Sequence, residues 1–287
     1  MTGKPVTFTG AEGNALAADL YTGEGRTVIF LHGGGQTRHA WGGTARRVAA
    51  AGARAISVDL RGHGQSAWVD SGNYRFADYV ADTAELAKQA LERFGDPVVI
   101  AGASLGGIAA LGAEQFHGPL AESLILVDIT PRMDLHGVLR IQGFMAEHLN
   151  EGFANLDEAA DAIARYLPNR KRPSSLAGLA KNLRSGADGR YYWHWDPLFM
   201  TGERNINAGA LEILGQMMDA LPKLDAPVLL VRGMQSELIH PHHAEEFLAL
   251  APKARLVDVS EAGHMVAGDR NDVFTEAVLG FLGEVRG

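Results

Sequence analysis

One serine in this chain stands where its hydroxyl could attack a substrate. Ser104 is the centre of Gly102-Ala103-Ser104-Leu105-Gly106, after the apolar run 98–101 and before an Ala- and Leu-rich stretch over 108–116. A Gly-x-Ser-x-Gly between a strand and a helix is a nucleophile elbow. The turn is so tight that the positions two before and two after the serine must be almost bare, as Gly102 and Gly106 are. The serine oxygen is then held above the carboxyl end of the strand, and the positive end of the helix faces any oxyanion formed there.

A serine hydroxyl is a weak nucleophile until a base takes its proton and a third group orients that base. Of eleven histidines, His264 is the best placed. It follows the last expected strand, 255–259, and loops leaving the carboxyl ends of a parallel sheet share the serine's side. The acid is expected from the loop after the strand 228–231, which reads Arg232-Gly-Met-Gln-Ser-Glu237. Glu237 is the first choice there and gives the order nucleophile, acid, base. Asp128, near the end of the strand expected over 123–129, is the alternative acid. Two backbone N–H groups should hold a developing oxyanion, one from Leu105 and one from the loop His32-Gly33-Gly34-Gly35-Gln36. Gly34 is chosen, with Gly35 next, and His32 is read as a structural support of that loop.

These residues need a sheet edge to stand on, and the element pattern supplies one. Weak alternation over 6–8 and 16–21, with Gly10 and Gly13 between, predicts a hairpin. The continuous apolar run 27–31 predicts a strand buried on both faces. A helix over 38–51, a strand over 53–58 and an amphipathic helix over 76–94 follow, then the elbow and the strand 123–129. Strands alternating with helices imply a parallel sheet covered on both faces. Residues 60–71 are expected as a polar loop, of which 60–66 is read as structural. From about 132 to 222 no strong strand appears, and helices are expected over 138–149, 157–167, 174–184 and 205–220. Asn155 with Glu158 resembles a capping box, and Ser174 suits a cap. Alternation resumes with a strand at 228–231, a helix at 242–250, a strand at 255–259 and a helix at 272–282. The expected organisation is therefore a core, residues 1–131 and 223–287, carrying a helical lid, 132–222. Tyr192, Trp193 and Trp195 in the lid are candidates for an apolar or aromatic pocket. On a helix the two tryptophans would face different ways, so one is expected to face the site.

Composition narrows the functional classes. Lys plus Arg number 26 against 34 Asp plus Glu, a net charge of −8, which disfavours nucleic acid and anionic membrane as partners. The chain has no cysteine, which excludes disulfides, thiolate metal sites and a cysteine nucleophile. The first ten residues lack the apolar core of a secretory signal, and no run approaches a membrane span. A cytoplasmic protein acting on a small-molecule substrate, without cofactor or metal, is expected. Gly33-x-Gly35 after a strand hints at a dinucleotide site, but Arg38 holds the third glycine position and the fingerprint fails. His240-Pro-His242-His243 opens a helix without carboxylates at ligand spacing, and reads as surface rather than metal site.

Four segments in order, His32 to Gly35, Asp59-Leu-Arg-Gly-His-Gly-Gln-Ser66, Gly102 to Gly107 and Gly263-His264, resemble the serine α/β-hydrolase superfamily. The first of these and the stretch from His264 to Asp272 look like bacterial members described as esterases or cofactor-free peroxidases. The resemblance implies an α/β-hydrolase fold, with a mostly parallel eight-stranded sheet, and hydrolysis of an ester-type bond. Carbon–carbon bond hydrolysis, lactone opening and peroxidation on the same triad are the alternatives. Glu237 departs from the pattern, in which aspartate is commoner.

Overall fold

The structure is a computed structural model that describes residues 2–95, 97–166, 176, 178–264 and 271–284. The basic run Arg170-Lys171-Arg172, the expected cap Ser174, and the segment 265–270 lie outside the described residues. Strands β1 (Lys4–Thr9) and β2 (Ala15–Tyr21) form the expected hairpin. Strands β3 (Thr27–Leu31), β4 (Arg54–Val58), β5 (Val98–Ala103) and β6 (Ser123–Val127) follow in the first half of the chain. Strands β9 (Val228–Gly233) and β10 (Ala254–Val259) complete an eight-stranded sheet in the order β1-β2-β4-β3-β5-β6-β9-β10. Only the β1–β2 and β2–β4 pairs are antiparallel; every other pair in this sheet is parallel.

The period of two along the central strands sorts their side chains into two cores. Val28, Phe30, Val99, Ala101, Ile125 and Val127 face one side. There α1 (Gly42–Ala50) and α9 (Asn271–Glu284) cover them, with Trp41 packed between Phe30 and Phe274 at ring distances of 5.3 and 5.4 Å. Ile29, Leu31, Ile100, Leu124 and Leu126 face the other side, under α2 (Phe76–Phe94), α3 (Leu105–His117) and α8 (Pro241–Leu250). Strands buried on both faces need no polar alternation, which is why β3 and β6 read as unbroken apolar runs. The edge strands β1 and β10 keep exposed positions.

Between β6 and β9 the chain leaves the sheet. This insert holds α4 (Leu135–Ala146), α5 (Leu156–Tyr166), the hairpin of β7 (Leu183–Ser185) and β8 (Tyr191–Trp193), α6 (Leu198–Thr201) and α7 (Ala210–Ala220). Three expectations fail in it. The described part of 174–184 holds a short 3₁₀ turn, Leu179–Asn182, running into β7 rather than a helix. The sequence following β7, Gly186-Ala-Asp-Gly189, turns the chain with Gly189 at φ +79°, and the Tyr-Tyr-Trp run then pairs as a strand. α4 stops at Ala146, three residues before its expected end. α7 starts at Ala210 instead of 205, because Gly209 stands in the left-handed region (φ +73°) and breaks the helix there. Asn155 does cap α5, accepting the Glu158 N–H at 2.9 Å.

Candidate active site

The elbow is built from absent side chains. A Cβ on Gly102 would stand 2.2 Å from the Gly106 carbonyl oxygen, and one on Gly106 would stand 2.5 Å from the Leu31 oxygen, backbone in both cases. Ser104 sits between them at φ 48° and ψ −116°, immediately before α3. A non-glycine residue adopts that conformation only where its surroundings over-determine it. Here the Ser104 N–H donates to the Val127 oxygen at 3.2 Å, and its carbonyl accepts the Gly107 and Ile108 N–H groups at 2.9 and 3.0 Å. The side chain is left facing a cavity of about 580 Å³, and His264 lines the same cavity.

The carboxylate on His264 is Asp128, not Glu237. His264 Nδ1 lies 2.8 Å from Asp128 Oδ2. Since a carboxylate only accepts, Nδ1 carries the proton, and Nε2 is left as the free acceptor on the ring. Asp128 is wholly buried. Its Oδ1 accepts the Gly233 N–H at 2.8 Å, and its Oδ2 also accepts the Ser236 hydroxyl at 2.5 Å. Ser236 in turn accepts the Leu238 and Ile239 N–H groups at 3.0 and 3.1 Å, which fixes its rotamer. Glu237 turns instead towards the insert, where the Tyr166 hydroxyl donates to it over a long 3.4 Å. Burial first, then this carboxylate, raises the Tyr166 phenol well above its ordinary value.

The loop after β3 offers three glycine N–H groups. Gly33 N–H donates to Gln36 Oε1 at 3.0 Å, and Gly35 N–H donates to His63 Nε2 at 3.1 Å. That rules out Gly35 as the reserve oxyanion donor. Gly34 N–H makes no hydrogen bond among the described residues. It belongs to the same peptide as the Gly33 carbonyl, which accepts from His32 Nδ1 at 2.8 Å and from the Gln36 N–H at 3.1 Å. A trans peptide points its N–H opposite to its carbonyl, so His32 and Gln36 set the direction of Gly34. His32 is therefore the structural support expected.

Behind the loop lie three neutral imidazoles: His32 and His63 with rings 5.2 Å apart, His63 and His194 with rings 5.8 Å apart. Burial pushes His32 down to about 3, His194 down to about 4 and His63 well below the usual imidazole value. Each has one nitrogen accepting a backbone N–H: Leu60 on His32, Gly35 on His63 and Gly64 on His194. The loop 60–66 is held from below. Asp59 accepts the Arg38 N–H at 2.6 Å and the Gln65 N–H at 2.9 Å, and Arg61 makes a paired contact with Asp82 of α2.

Trp193 and Trp195 both line the cavity, and Tyr192 does not. They sit two apart, at the end of β8 and in the bend after it rather than on a helix, and their rings stack at 4.7 Å. The Tyr192 hydroxyl donates to Asp188 at 2.6 Å, outside the cavity. Phe144, Tyr166 and Phe199 complete an aromatic wall missed in the sequence, and Phe144 stacks on Tyr166 at 4.3 Å. Among the described residues no Lys, Arg, Asp or Glu lines the cavity.

Comparison with known proteins agrees with the fold. The model of the alpha/beta hydrolase family matches residues 28–277. The chain belongs to that family. This alpha/beta hydrolase is 30% identical over 276 residues to Esterase Rv0045c of Mycobacterium tuberculosis, covering 94% of this chain and 87% of that protein. A solved structure of the same esterase gives a TM-score of 0.75 at 28% identity and covers 99% of this chain and 93% of that one. A 3-hydroxybutyrate-oligomer hydrolase of Cupriavidus necator is 27% identical over 220 residues, 74% of this chain and 73% of that protein. The structure of E-2-(acetamidomethylene)succinate hydrolase shares the fold at TM-score 0.80 and 21% identity, covering 98% of this chain and all of that one.

Away from the cavity, His243 accepts the His240 N–H at 3.1 Å and helps to cap α8. Among the described residues no group of three or more His, Cys, Asp or Glu side chains could hold a metal ion, and no helix is long and apolar enough to cross a membrane.

Proposed function

We propose that this alpha/beta hydrolase cleaves neutral carboxylic esters with an apolar or aromatic acyl group through an acyl-enzyme on Ser104. The observation that carries the reading is the contact of Asp128 with His264, which lines the same cavity as Ser104. Ser104 Oγ forms a bond to the acyl carbon as its proton passes to His264 Nε2. The N–H groups of Leu105 and Gly34 receive the carbonyl oxygen as it becomes an oxyanion. His264 returns the proton to the departing alkoxide, then takes one from water as the water oxygen bonds to the acyl carbon, and passes it to Ser104 Oγ as the acyl–serine bond breaks and the acid is released. Asp128 holds the ring in its Nδ1–H form and stabilises the imidazolium.

The cavity supports the substrate class. Its size lies within the range that takes drug-sized ligands, and its described walls offer no cation for a second carboxylate. The insert acts as a lid that shapes this acyl site. Each added methylene of a buried acyl chain is worth up to about 0.8 kcal/mol, so turnover of p-nitrophenyl esters should rise from acetate towards medium chains. A hemisuccinate ester should be poor. A serine-directed phosphonate should add once per chain, on Ser104 by peptide mass, and Ser104→Ala should lose at least about 10³-fold in kcat/KM. An adduct elsewhere, or a Ser104→Ala protein near wild-type activity, refutes the reading.

A further inference from the structure

The insert is bonded to the oxyanion loop, not merely laid over it. His194 follows β8 and is buried. Its Nδ1 accepts the Gly64 N–H at 2.8 Å, so the ring proton is on Nε2, which donates to the Gly35 carbonyl at 3.2 Å. Asp196, two residues on, anchors the same segment. Its Oδ2 accepts the Tyr74 hydroxyl at 2.6 Å, and its N–H donates to the Gly62 carbonyl at 2.8 Å. The Trp195 ring stands against Gly35 and the Phe199 ring against Gly34.

The consequence follows from peptide planes. The Gly35 carbonyl and the Gln36 N–H belong to one trans peptide and point opposite ways. Holding the first fixes the second. The Gln36 N–H donates to the Gly33 carbonyl, and that carbonyl shares its peptide with the Gly34 N–H. The geometry points to His194 as a positioning residue for the oxyanion hole. A bond from the insert to Gly35 aims Gln36, Gln36 with His32 aims Gly33, and Gly33 aims the Gly34 N–H into the cavity. The insert therefore sets the rate of the chemical step as well as the shape of the acyl site. This rests on the ester-hydrolase reading, which the wild-type protein's own turnover and Ser104 adduct test separately.

Two substitutions separate the two bonds of the ring. His194→Asn keeps an acceptor near Nδ1 for Gly64 and loses the donor to Gly35. His194→Gln places its amide nitrogen near Nε2 and keeps that donor. With a neutral p-nitrophenyl ester, His194→Asn should lower kcat roughly 10- to 100-fold, the scale of a misplaced catalytic group, with KM within about threefold of wild type. The rate of phosphonate addition to Ser104 should fall in parallel, and His194→Gln should recover kcat to within about fivefold of wild type. Tyr74→Phe removes a different anchor of the same segment; it should lower Tm and leave kcat within about twofold. The proposal is overturned if His194→Asn keeps kcat within twofold, if its loss lies in KM alone, if His194→Gln is as impaired as His194→Asn, or if Tyr74→Phe reproduces the kcat loss. Should His194→Asn fail to melt cooperatively, His194→Gln decides: kcat within about fivefold supports the proposal, and a larger loss overturns it.

Discussion

A buried polar group is costly to leave without hydrogen-bond partners. Asp128, wholly buried, collects three donors, the Gly233 N–H, the Ser236 hydroxyl and His264 Nδ1. Glu237 has the same chemistry and is carried past the site. β9 runs to Gly233, two residues beyond the end that its apolar run suggests, so the following loop delivers Gly233 and Ser236 to Asp128 and turns Glu237 towards Tyr166. In the sequence each acid follows an apolar strand at the same sheet edge, and the loop after 228–231 makes Glu237 the first choice. What separates them is backbone: Asp128 stands at φ 51° with its N–H on the Val231 carbonyl, and no residue type announces that. The elbow around Ser104 was legible because bare positions flanking a serine state their own geometry. His63 and His194 were not, since their partners are main-chain atoms of loops far apart in the chain.

Elements show the same division. The sheet and its flanking helices could be read because burial on two faces leaves unbroken apolar runs, and burial on one leaves a 3.6-residue period. The insert could not be read as well. Its two tryptophans, Trp193 and Trp195, lie in a strand and the bend after it, where helical spacing has no meaning. The elbow gives a test of how tightly an element can constrain a site. Gly106→Ala puts a methyl group against the Leu31 and His32 carbonyl oxygens; neither can give without moving β3, so a loss of about 2–4 kcal/mol is expected, with activity falling alongside. Gly215 is the contrasting case. It is exposed inside α7, and a Cβ there would meet nothing within 4 Å, so Gly215→Ala should gain about 0.5–1 kcal/mol. Thermal melts of the two variants check both signs; equal effects would contradict the packing argument.

At the scale of the whole molecule, the sheet, the loop after β3 and the insert meet around three uncharged imidazoles. Their burial makes folding acid-sensitive. The ordinary imidazole value is near 6.5, and in the folded protein His194 is pushed down to about 4 and His32 to about 3. Below pH 6.5 the unfolded chain therefore binds more protons than the folded one. The stability these groups contribute is complete above that value and is lost as pH falls towards the depressed ones. Between pH 7.5 and 5.0 the loss should be of the order of 1–2 kcal/mol per histidine, seen as a falling Tm. A flat profile over that range would contradict the neutral, buried cluster.

The account as a whole rests on Asp128 orienting His264 towards Ser104, and the kcat/KM of Asp128→Asn beside Glu237→Gln, on one neutral p-nitrophenyl ester, tests that most directly. Asp128→Asn keeps the shape but no longer accepts the ring proton in the same way, and should lose about 10³- to 10⁴-fold, while Glu237→Gln stays within about threefold of wild type. The reverse ranking, or equal losses, would contradict it.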